Sequence, residues 1–520
     1  MDAHGPDLPL RRLEDGSWHL TDRVRGIADD SRRVRPGDLF VAVRGVRDDG
    51  HQHLAEAAVR GAVAAVVEDR AAAGRAGGLP VVVVNNSREA LGQLASTWFG
   101  HPTRELQMVG VTGTNGKTTV AVMLAAILNA AGRPARSIGT LGPFGPDASY
   151  PLTTPFPLQL QHTLRTFVRS GTKSVVMEVS SHGLTQHRVA GCEFDAAVLT
   201  SLGRDHLDYH RTIKAYWAAK TRLFKLLSRQ ARHKPGQAVA ILPMGSEGAD
   251  AVARHVRVPM LRFGLGEAGD VRARDIRPTI WGSRFIILHD GHEWPVRIHL
   301  PGRFNVENAL AATAAALGLG IEPSAIALGL DRLRRVPGRC ERLLLPQGGF
   351  AVVDYAHNPD GLSRLLAAVR EGAPGRRVVC VFGGRGHRDP GKLPGMGEVA
   401  ARFADALVLT SDSPLDEDPR VLAAAIQAGV PGQSGLAVEF VADREGAIER
   451  AMRAAGRGGV VVVTGRGHEV PQWIGDAVLN RTDAEMVRRA ARRAFAEPAA
   501  LPTVPSALGR EGTRRTRGRL

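Results

Sequence analysis

The sequence predicts an α/β protein of three domains, and three observations support this fold class. A chain of 520 residues is longer than one hydrophobic core usually organises. Between residues 107 and 131, an apolar strand pattern, a glycine-rich turn and a helix pattern follow one another. Between residues 350 and 464, short apolar strands alternate with helix patterns, which is typical of a doubly wound, Rossmann-like sheet.

We place the domains at residues 1–105, 106–335 and 336–496. The first is a small α/β domain with strand patterns at 39–43, 62–67 and 81–84 and helix patterns at 53–61 and 87–99, the latter with Ser87 as the expected N-cap. The second is expected to hold a parallel sheet around the glycine-rich turn. Residues 497–520 are rich in Pro, Ser, Gly and Arg, which predicts a disordered basic tail.

The formal net charge of +16 raises nucleic acid as a partner, but two features argue against it. Arginine is spread along the whole chain, and aromatic residues, which would stack on bases, make up only 5%. A basic surface also suits anionic small substrates such as nucleotides. Small anions are therefore the expected partners, and no nucleic acid is expected.

Targeting signals are missing from the sequence pattern. No apolar run approaches the roughly 18 residues of a membrane span, and the N-terminus lacks the basic-then-apolar order of a signal peptide. Cys192, Cys340 and Cys380 lie far apart and indicate neither a zinc site nor a disulfide framework. A reducing cytoplasm is the expected location.

The strongest chemical signal lies at residues 110–120. Backbone N–H groups in such a turn point at an anion, and the dipole of the following helix adds partial positive charge. Lys117 would reach the β/γ-phosphates of a nucleotide, and the Thr118 hydroxyl would hold Mg²⁺. Five residues rather than the usual four separate Gly110 from Gly116, yet Gly-Lys-Thr-Thr between a strand and a helix still predicts nucleotide binding.

Acidic and histidine residues follow the next strands. Glu178 ends the strand pattern at 173–179, where a Mg²⁺ ligand belongs beside a phosphate loop, although a plain edge glutamate is the alternative. The strand at 195–200 leads into a loop with two Asp and two His, among them His206.

Three further residues have an ordinary structural interpretation when each is considered on its own. For Lys220, in the helix pattern at 212–227, the pattern favours a solvated lysine, and for Ser31 it favours a turn former. Asn305, before an Ala-rich helix, is as consistent with an N-cap as with a binding role.

In the third domain, polar loops follow successive strands at 354–359, 383–389, 412–419 and 465–469. Loops at the carboxyl ends of parallel strands lie along one edge of the sheet. We therefore expect these loops to form one cleft.

Six motifs occur in one order along the chain: Gly-Thr-Asn-Gly-Lys-Thr-Thr (113–119), Glu-Val-Ser-Ser-His (178–182), Arg-Asp-His-Leu-Asp-Tyr-His (204–210), Phe-Asn-Val-Glu-Asn (304–308), Val-Pro-Gly-Arg (336–339) and Asp-Tyr-Ala-His-Asn-Pro (354–359). This set resembles the Mur ligase family and, within it, the UDP-N-acetylmuramoyl-tripeptide synthetases, the MurE type. The resemblance covers residues 30 to 469. The stretch at 30–42 looks like the uridine-binding part of that type's first domain.

The resemblance implies an ATP-dependent amide ligase that uses Mg²⁺ and acts as a monomer. Its substrates would be a UDP-linked muramoyl dipeptide, UDP-N-acetylmuramoyl-L-alanyl-D-glutamate, and a free amino acid. The substrate carboxylate would attack the γ-phosphate of ATP to give an acyl phosphate, and the amine would then displace phosphate. A carboxylate is a poor acyl donor, so its oxygen must first become part of a leaving group.

The resemblance also implies roles for residues that match the family motifs. ATP would be bound by Thr112, Gly113, Thr114, Asn115, Gly116, Lys117, Thr118, Asn305, Arg339 and Asp354. The metal would be held by Thr118, Glu178 and His206. The catalytic residues would be Lys117, Glu178, His206 and Lys220, the last carbamylated by CO₂. The UDP-linked substrate would be held by Ser31, Thr153, Thr154, Ser180, Gln186 and Arg188. The amino acid would meet Arg388, Asp412, Leu415, Gly465 and Glu469.

The sequence departs from the family pattern at the amino-acid end. Enzymes of this type that add meso-diaminopimelate show Asp-Asn-Pro-Arg, whose arginine grips the distal carboxylate, whereas residues 412–415 are Asp-Ser-Pro-Leu. An acidic pocket without that arginine favours lysine or ornithine. A preference for diaminopimelate would mean that another arginine, such as Arg385, has taken the role. Residues 152 and 242–245 also differ from the family pattern.

Several alternatives remain open at this point. One is a specialised paralogue, or another ligase of the same superfamily such as a folylpolyglutamate or cyanophycin-type synthetase, acting on a different carboxylate. Another is a nucleotide-dependent nucleic-acid-binding protein, which ATP consumption dependent on single strands would favour. A degenerate ligase fold kept as a binding module is disfavoured, because Lys117, Glu178, His206 and Lys220 are all present.

Overall fold

A computed structural model describes residues 10–12, 18–45, 48–142, 152–230 and 238–495, with a separate sheet in each of three successive parts of the chain. The expected tail at 497–520 lies outside these residues. In the first part, the parallel sheet runs in the order β3-β4-β5-β6, beside an antiparallel pair β1-β2. The elements are β1 (Leu10–Arg12), β2 (Trp18–Leu20), β3 (Gly26–Ala28), β4 (Asp38–Val41), α1 (Leu54–Val59), β5 (Ala64–Val67), β6 (Val81–Val83) and α2 (Ser87–Trp98).

The β4 and β5 strands are buried along their whole length, as parallel strands covered on both faces are. One local expectation is wrong. Asn86 rather than Ser87 caps α2, because the Asn86 side chain accepts a hydrogen bond from the Glu89 amide. Ser87 is the first helical residue, and its hydroxyl donates to Glu68 instead.

The second part contains a larger sheet in the order β15-β14-β13-β12-β11-β10-β7-β9-β8, parallel from β8 to β13 and antiparallel from β13 to β15. Its strands are β7 (Gln107–Thr112), β8 (Ala135–Ile138), β9 (Ser174–Glu178), β10 (Ala196–Leu199), β11 (Val239–Pro243), β12 (Met260–Gly264), β13 (Val271–Thr279), β14 (Gly282–His289) and β15 (His292–Ile298). Because β7 lies between β9 and β10, the loop after β7 opens at the point where the strand order reverses, which is where such sheets bind ligands.

The helices of this part are α3 (Lys117–Ala130), α4 (Pro157–Arg169), α5 (Ser181–Thr185), α6 (Leu207–His210), α7 (Ile213–Gln230), α8 (Glu247–Ala253), α9 (Arg303–Gly318) and α10 (Pro323–Arg332). The Ala-rich α9 is buried against α3 and the sheet. Gly302 caps it, so Asn305 lies inside the helix, and the N-cap interpretation of this residue is wrong.

The third part is a doubly wound sheet in the order β16-β17-β21-β18-β19-β20, parallel apart from β16. Its elements are β16 (Glu341–Leu344), β17 (Phe350–Val353), α11 (Pro359–Gly372), β18 (Val378–Phe382), α12 (Leu393–Phe403), β19 (Ala406–Leu409), α13 (Pro419–Gln427), β20 (Ala437–Phe440), α14 (Arg444–Ala455), β21 (Val460–Val463), a hairpin of β22 (Pro471–Ile474) and β23 (Ala477–Asn480), and α15 (Asp483–Ala494). Helices α11, α12 and α13 cover one face, and α14 and α15 cover the other.

The second and third parts meet with their loop edges facing each other. Arg364 pairs with Glu307 at 2.9 Å, and the Asn115 side chain donates to Asp360 at 3.0 Å. The first part packs on the second at Gly92, where a Cβ would lie 2.5 Å from the Ala190 carbonyl oxygen. Among the described residues, the second part therefore contacts both the first and the third part.

Candidate functional site

The turn after β7 has the geometry of a phosphate-binding loop. Gly113 and Gly116 have φ of 148° and 87°, and a Cβ on Gly113 would lie 1.9 Å from the Thr200 hydroxyl. The Thr114 amide donates to the Ser201 carbonyl, which joins the turn to the loop after β10. Glycine is required at these positions because both the backbone conformation and the close neighbours exclude a side chain.

Lys117 begins α3, and its ammonium group folds back over the turn. Its Nζ donates to the carbonyl oxygens of Gly113 and Thr114, both at 3.0 Å. Burial lowers its pKa, and the charge of Glu178 opposes that shift. The amine therefore lies at the start of the helix, where the helix dipole also attracts an anion.

Lys220 is not solvated, so the interpretation that its helix pattern alone favoured is wrong. It is 1% exposed on α7, its Nζ donates to the Gly113 carbonyl at 2.7 Å, and it lies 4.5 Å from the centre of the Tyr216 ring. Burial and the charge of Lys117 lower its pKa well below the ordinary value. This shift favours the neutral amine, the form that reacts with CO₂.

Thr118 and Glu178 form an oxygen-rich pair beside the turn. The Thr118 hydroxyl donates to Glu178 at 2.9 Å, and Thr140 donates to the same carboxylate through its amide and its hydroxyl. Glu178 is 2% exposed and has no ion-pair partner within 4 Å among the described residues. A buried carboxylate with a hydroxyl beside it and no cation of its own fits a hard ion such as Mg²⁺.

His206 lies at the start of α6 with φ of 53°, and its ring is 4.8 Å from the ring of His182. Burial lowers the pKa of His206 to about 3, so the ring is neutral and can act as a ligand. Its neighbour Asp205 lies 3.6 Å from His357 of the third part. Although burial opposes the shift, the hydrogen bond and charge of His357 lower the pKa of Asp205.

Of the remaining residues predicted to bind ATP, Arg339 contacts the start of α3 directly. The Arg339 guanidinium donates to the Thr118 hydroxyl at 3.1 Å and stacks on Tyr355. Asn305 is buried and donates to the Pro301 carbonyl, and Asp354 accepts from the amides of Cys340 and Ala356. Burial raises the pKa of Asp354.

Ser31, Gln186 and Arg188 line one cavity of about 420 Å³ between the first and second parts. The Arg188 guanidinium donates to the Thr154 carbonyl at 2.8 Å and to Gln186, and it stacks on Phe156. Residues of the two parts thus build the cavity together.

The Thr154 hydroxyl connects this cavity to the phosphate turn. It donates to the Glu178 carbonyl at 3.0 Å, and it accepts from the Ser180 amide at 2.9 Å. The Thr153 hydroxyl lies 3.5 Å from that of Thr140, which itself contacts the Glu178 carboxylate. All the residues predicted to hold the UDP-linked substrate therefore lie in one region.

The expected cleft of four loops is present on the third part. A cavity of about 70 Å³ is lined by Asp205, His206, Asp208, Tyr355, His357, Gly383, Gly384, Arg385, Arg388, Asp389, Lys392, Leu393, Met396, Asp412 and Gly465. Glu469 is adjacent, because Tyr355 and Arg385 from this lining both donate to its carboxylate. Arg388, Asp412, Gly465 and Glu469 therefore lie close together in the structure.

Leu415 and Arg385 differ from expectation. Leu415 has φ of 61° and does not line the cavity; it pairs through its backbone with the hairpin at Trp473 and Gly475. Arg385 lines the cavity, and its Nη1 lies 2.9 and 3.0 Å from the two Glu469 oxygens. Against the effect of burial, the charge of Arg385 lowers the pKa of Glu469. Arg385 therefore adds a second guanidinium group to the cavity that Arg388 also lines.

Behind the cleft lies a buried charge network that the sequence analysis missed. Arg444 pairs with Asp483 at 2.7 Å, and Arg466 pairs with it at 3.5 Å. Arg444 also donates to the Ser411 and Thr464 carbonyls, and Arg466 donates to the Glu469 carbonyl. The network therefore holds two of the loops together. No local pattern could have found it, because its members lie up to 39 residues apart.

Three family models match the chain: a Mur ligase family catalytic domain at residues 23–99, a Mur ligase middle domain at 111–316 and a Mur ligase glutamate ligase domain at 338–467. A UDP-N-acetylmuramoyl-L-alanyl-D-glutamate--2,6-diaminopimelate ligase of Geobacter sulfurreducens is 40% identical over 482 residues, 90% of this chain and 94% of that protein. One of the same name from Geobacillus thermodenitrificans is 41% identical over 466 residues, 89% and 94% of the two chains.

Solved structures are similar as well. A structure named as a UDP-N-acetylmuramoyl-L-alanyl-D-glutamate--2,6-diaminopimelate ligase matches with a TM-score of 0.63 and 30% identity, over 90% of this chain and 95% of that one. The MurF ligase of Thermotoga maritima in complex with ADP matches with a TM-score of 0.62 over 91% and 99%; at 21% identity it supports the fold alone.

Proposed function

Because the chain belongs to the Mur ligase family, we propose that it is an ATP-dependent ligase that joins an amino acid to UDP-N-acetylmuramoyl-L-alanyl-D-glutamate during peptidoglycan precursor synthesis. The relatives that match 89–90% of the chain at 40–41% identity are ligases of that dipeptide. The domain boundaries at 105/106 and 335/336 stay predictions, although the family models end and begin close to them.

The observation that most supports this function is the continuity of the site. The Glu178 segment hydrogen-bonds to Thr154, which accepts from Ser180 and contacts Arg188 of the large cavity. On the other side, Arg339 joins Thr118 to the third part. A nucleotide-linked carboxylate, a triphosphate and an amine can therefore meet at one turn.

In the first step, the substrate carboxylate oxygen attacks the γ-phosphorus and ADP leaves. The product is an acyl phosphate. This step brings two anions together, so cationic groups must offset their repulsion. Lys117 and the start of α3 would offset the charge of the transferred phosphoryl group, and Arg339, which contacts Thr118, lies beside them.

Thr118 and Glu178, with His206, would hold Mg²⁺, which when bound supplies further positive charge against the phosphates. Lys220 would act as its carbamate, formed when its neutral amine attacks CO₂ and loses a proton. Carbamylation replaces a neutral amine with an anion beside the phosphate turn. An anion there can help to position the metal.

In the second step, the neutral amine of the amino acid attacks the acyl carbon, and inorganic phosphate leaves as the amide forms. Glu469 would orient the ammonium form before it loses its proton, and Arg388 would hold the α-carboxylate. Asp412 and Gly465 shape the floor of this pocket, since a Cβ on Gly465 would lie 2.7 Å from an Asp412 carboxylate oxygen.

We infer a monomer that acts in the cytoplasm. Cys192, Cys340 and Cys380 are buried and form no disulfide with one another, as is usual in a reducing compartment. Among the described residues, no helix combines the length and apolar character that crossing a bilayer requires. Sedimentation of the purified chain tests the oligomeric state, and fractionation of its source cells tests the location.

The function is tested by phosphate release from ATP with UDP-N-acetylmuramoyl-L-alanyl-D-glutamate and a panel of amino acids. We expect release that requires both the dipeptide and one class of amino acid, with a new amide in the product by mass spectrometry. Release that requires single-stranded nucleic acid instead, or no release with any amino acid, contradicts the proposal.

A further inference from the structure

We propose that Arg385 determines amino-acid specificity by binding a second carboxylate, so that the incoming amino acid is a diamino dicarboxylic acid rather than lysine or ornithine. This inference rests on the proposed function. It assigns a role to a residue outside the family motifs, at the place where Leu415 removes the expected arginine.

The position of Arg385 follows from the two glycines beside its segment. A Cβ on Gly386 would lie 2.0 Å from the Pro414 carbonyl oxygen, and one on Gly383 would lie 1.8 Å from the Thr410 carbonyl oxygen. The Gly386 amide also donates to the Ser413 carbonyl at 3.1 Å. The loop therefore lies against the backbone that ends at Leu415, and its arginine starts next to that position.

The guanidinium of Arg385 is held in place and only partly used. One nitrogen, Nη1, contacts both oxygens of Glu469, whose carboxylate also accepts from the Tyr355 hydroxyl at 3.0 Å. Nε and Nη2 have no hydrogen-bond partner in the described part of the chain. The side chain is 34% exposed and lines the cavity. Its free edge has the fork geometry that binds a carboxylate through two parallel hydrogen bonds.

Cationic and acidic side chains both line the cavity: Arg385, Arg388 and Lys392 lie beside Asp205, Asp208, Asp389 and Asp412. The α-ammonium and α-carboxylate of any amino acid are matched by Glu469 and Arg388, and Arg388 has no hydrogen-bond partner among the described residues. Arg385 then offers the free edge of its guanidinium to a further group of the amino acid. A diamino dicarboxylic acid has a second carboxylate that can accept hydrogen bonds from this edge, whereas lysine and ornithine have none.

The experiment measures kcat and KM for phosphate release with meso-diaminopimelate and with L-lysine, at saturating ATP and dipeptide. We expect wild-type protein to prefer the diacid by about tenfold or more, and Arg385→Gln to lower kcat/KM for the diacid about 10- to 100-fold, mainly through KM. With lysine, the change should stay within about threefold.

Matched variants separate specificity from folding. Arg388→Gln should lower kcat/KM for both amino acids, and Arg402→Gln, an exposed arginine on α12, should change neither. Arg385→Lys keeps the charge without the fork and should retain part of the diacid activity. The double variant Arg385→Gln/Leu415→Arg returns a guanidinium on the neighbouring loop, which packs against the Arg385 loop. It should restore the diacid preference. Thermal melting and ADP binding check that each variant is folded.

Equal losses for both amino acids in Arg385→Gln, or a wild-type preference for lysine, overturn this inference and leave the proposed function intact. No phosphate release by wild-type protein with any amino acid overturns the proposed function instead.

Discussion

The cleft has two ends, the glycine-rich turn at Lys117, proposed to bind phosphate and called the phosphate end, and the cavity beside Glu469, proposed to bind the amino acid and called the amino-acid end. Buried charges are compensated differently at these two ends. At the phosphate end, Lys117 and Lys220 donate to loop carbonyls, and no carboxylate lies within 4 Å of either ammonium group in the described residues. At the amino-acid end, Arg385 pairs with Glu469, and Arg444 and Arg466 share Asp483.

A ligand would therefore supply the missing counter-charge at the phosphate end, whereas at the amino-acid end it would replace existing ion pairs. A buried ammonium group without a counter-ion is costly, so Lys117 awaits the negative charge of a triphosphate, whereas Lys220 favours the neutral amine that can form a carbamate. The paired charges near Glu469 are already satisfied, and a zwitterion must take over some of those contacts. Mutations should therefore act on turnover at the first end and on stability or selectivity at the second.

The largest effect is expected for Lys117→Ala, at the phosphate end. We expect kcat to fall by roughly 10³- to 10⁵-fold, the range for other cations that stabilise a transferring phosphoryl group. The thermal midpoint should not fall, because the variant removes a buried charge that has no ion-pair partner. Phosphate release at saturating ATP and a melting curve measure both effects. Near-wild-type turnover would rule out the phosphate-loop assignment.

Asp483→Asn tests the opposite end. The substitution leaves Arg444 and Arg466 buried without their carboxylate, and breaking such a group typically costs about 3–5 kcal/mol of stability. Denaturant unfolding of the variant measures the loss, with Asp476→Asn on the exposed hairpin as the control. If both variants unfold at the wild-type midpoint, the network does not stabilise the third part as argued.

Lys220→Ala tests the role of the second buried lysine. We expect a loss of roughly 100-fold in kcat, similar to removing one electrostatic contact from an active site. Bicarbonate should not restore activity, because no amine remains to react, whereas a small carboxylate such as acetate should restore part of it. In the wild-type protein, carbon-13 NMR with labelled CO₂ should show a carbamate in the ATP complex. Detection of the free amine alone would count against carbamylation.

The smallest effect concerns pH. Burial, with the charge of Arg339, lowers the pKa of His468 from its ordinary 6.5 to about 4. A lowered pKa means that its contribution to stability is full above pH 6.5 and is lost as the pH falls from 6.5 towards 4. His468→Gln should therefore reduce the decline in stability between pH 7 and pH 5 by about 2 kcal/mol. Denaturant midpoints at both pH values measure this, and parallel wild-type and variant curves would contradict it.

Much of the site was predictable because its residues lie in local patterns. A strand, a glycine turn and a helix at 107–131 fold through neighbours in sequence, so the roles of Gly113, Gly116 and Lys117 in the turn followed from spacing alone. The four loops of the third part likewise had to meet, because parallel strands bring their carboxyl ends to one edge. The antiparallel strands β13 to β15 belong to none of the predicted patterns.

What the sequence alone determined is the α/β class, the phosphate turn, the family and the order of the domains, since each depends on short patterns or on motifs in series. The burial of Lys220, the capping of α2 by Asn86, the position of Arg385 in the cavity lining and the pairing of Asp483 with two arginines came only from the tertiary structure. Burial and ion pairing depend on which distant segments come together, and the free energy of a charge depends on those neighbours rather than on its own sequence position.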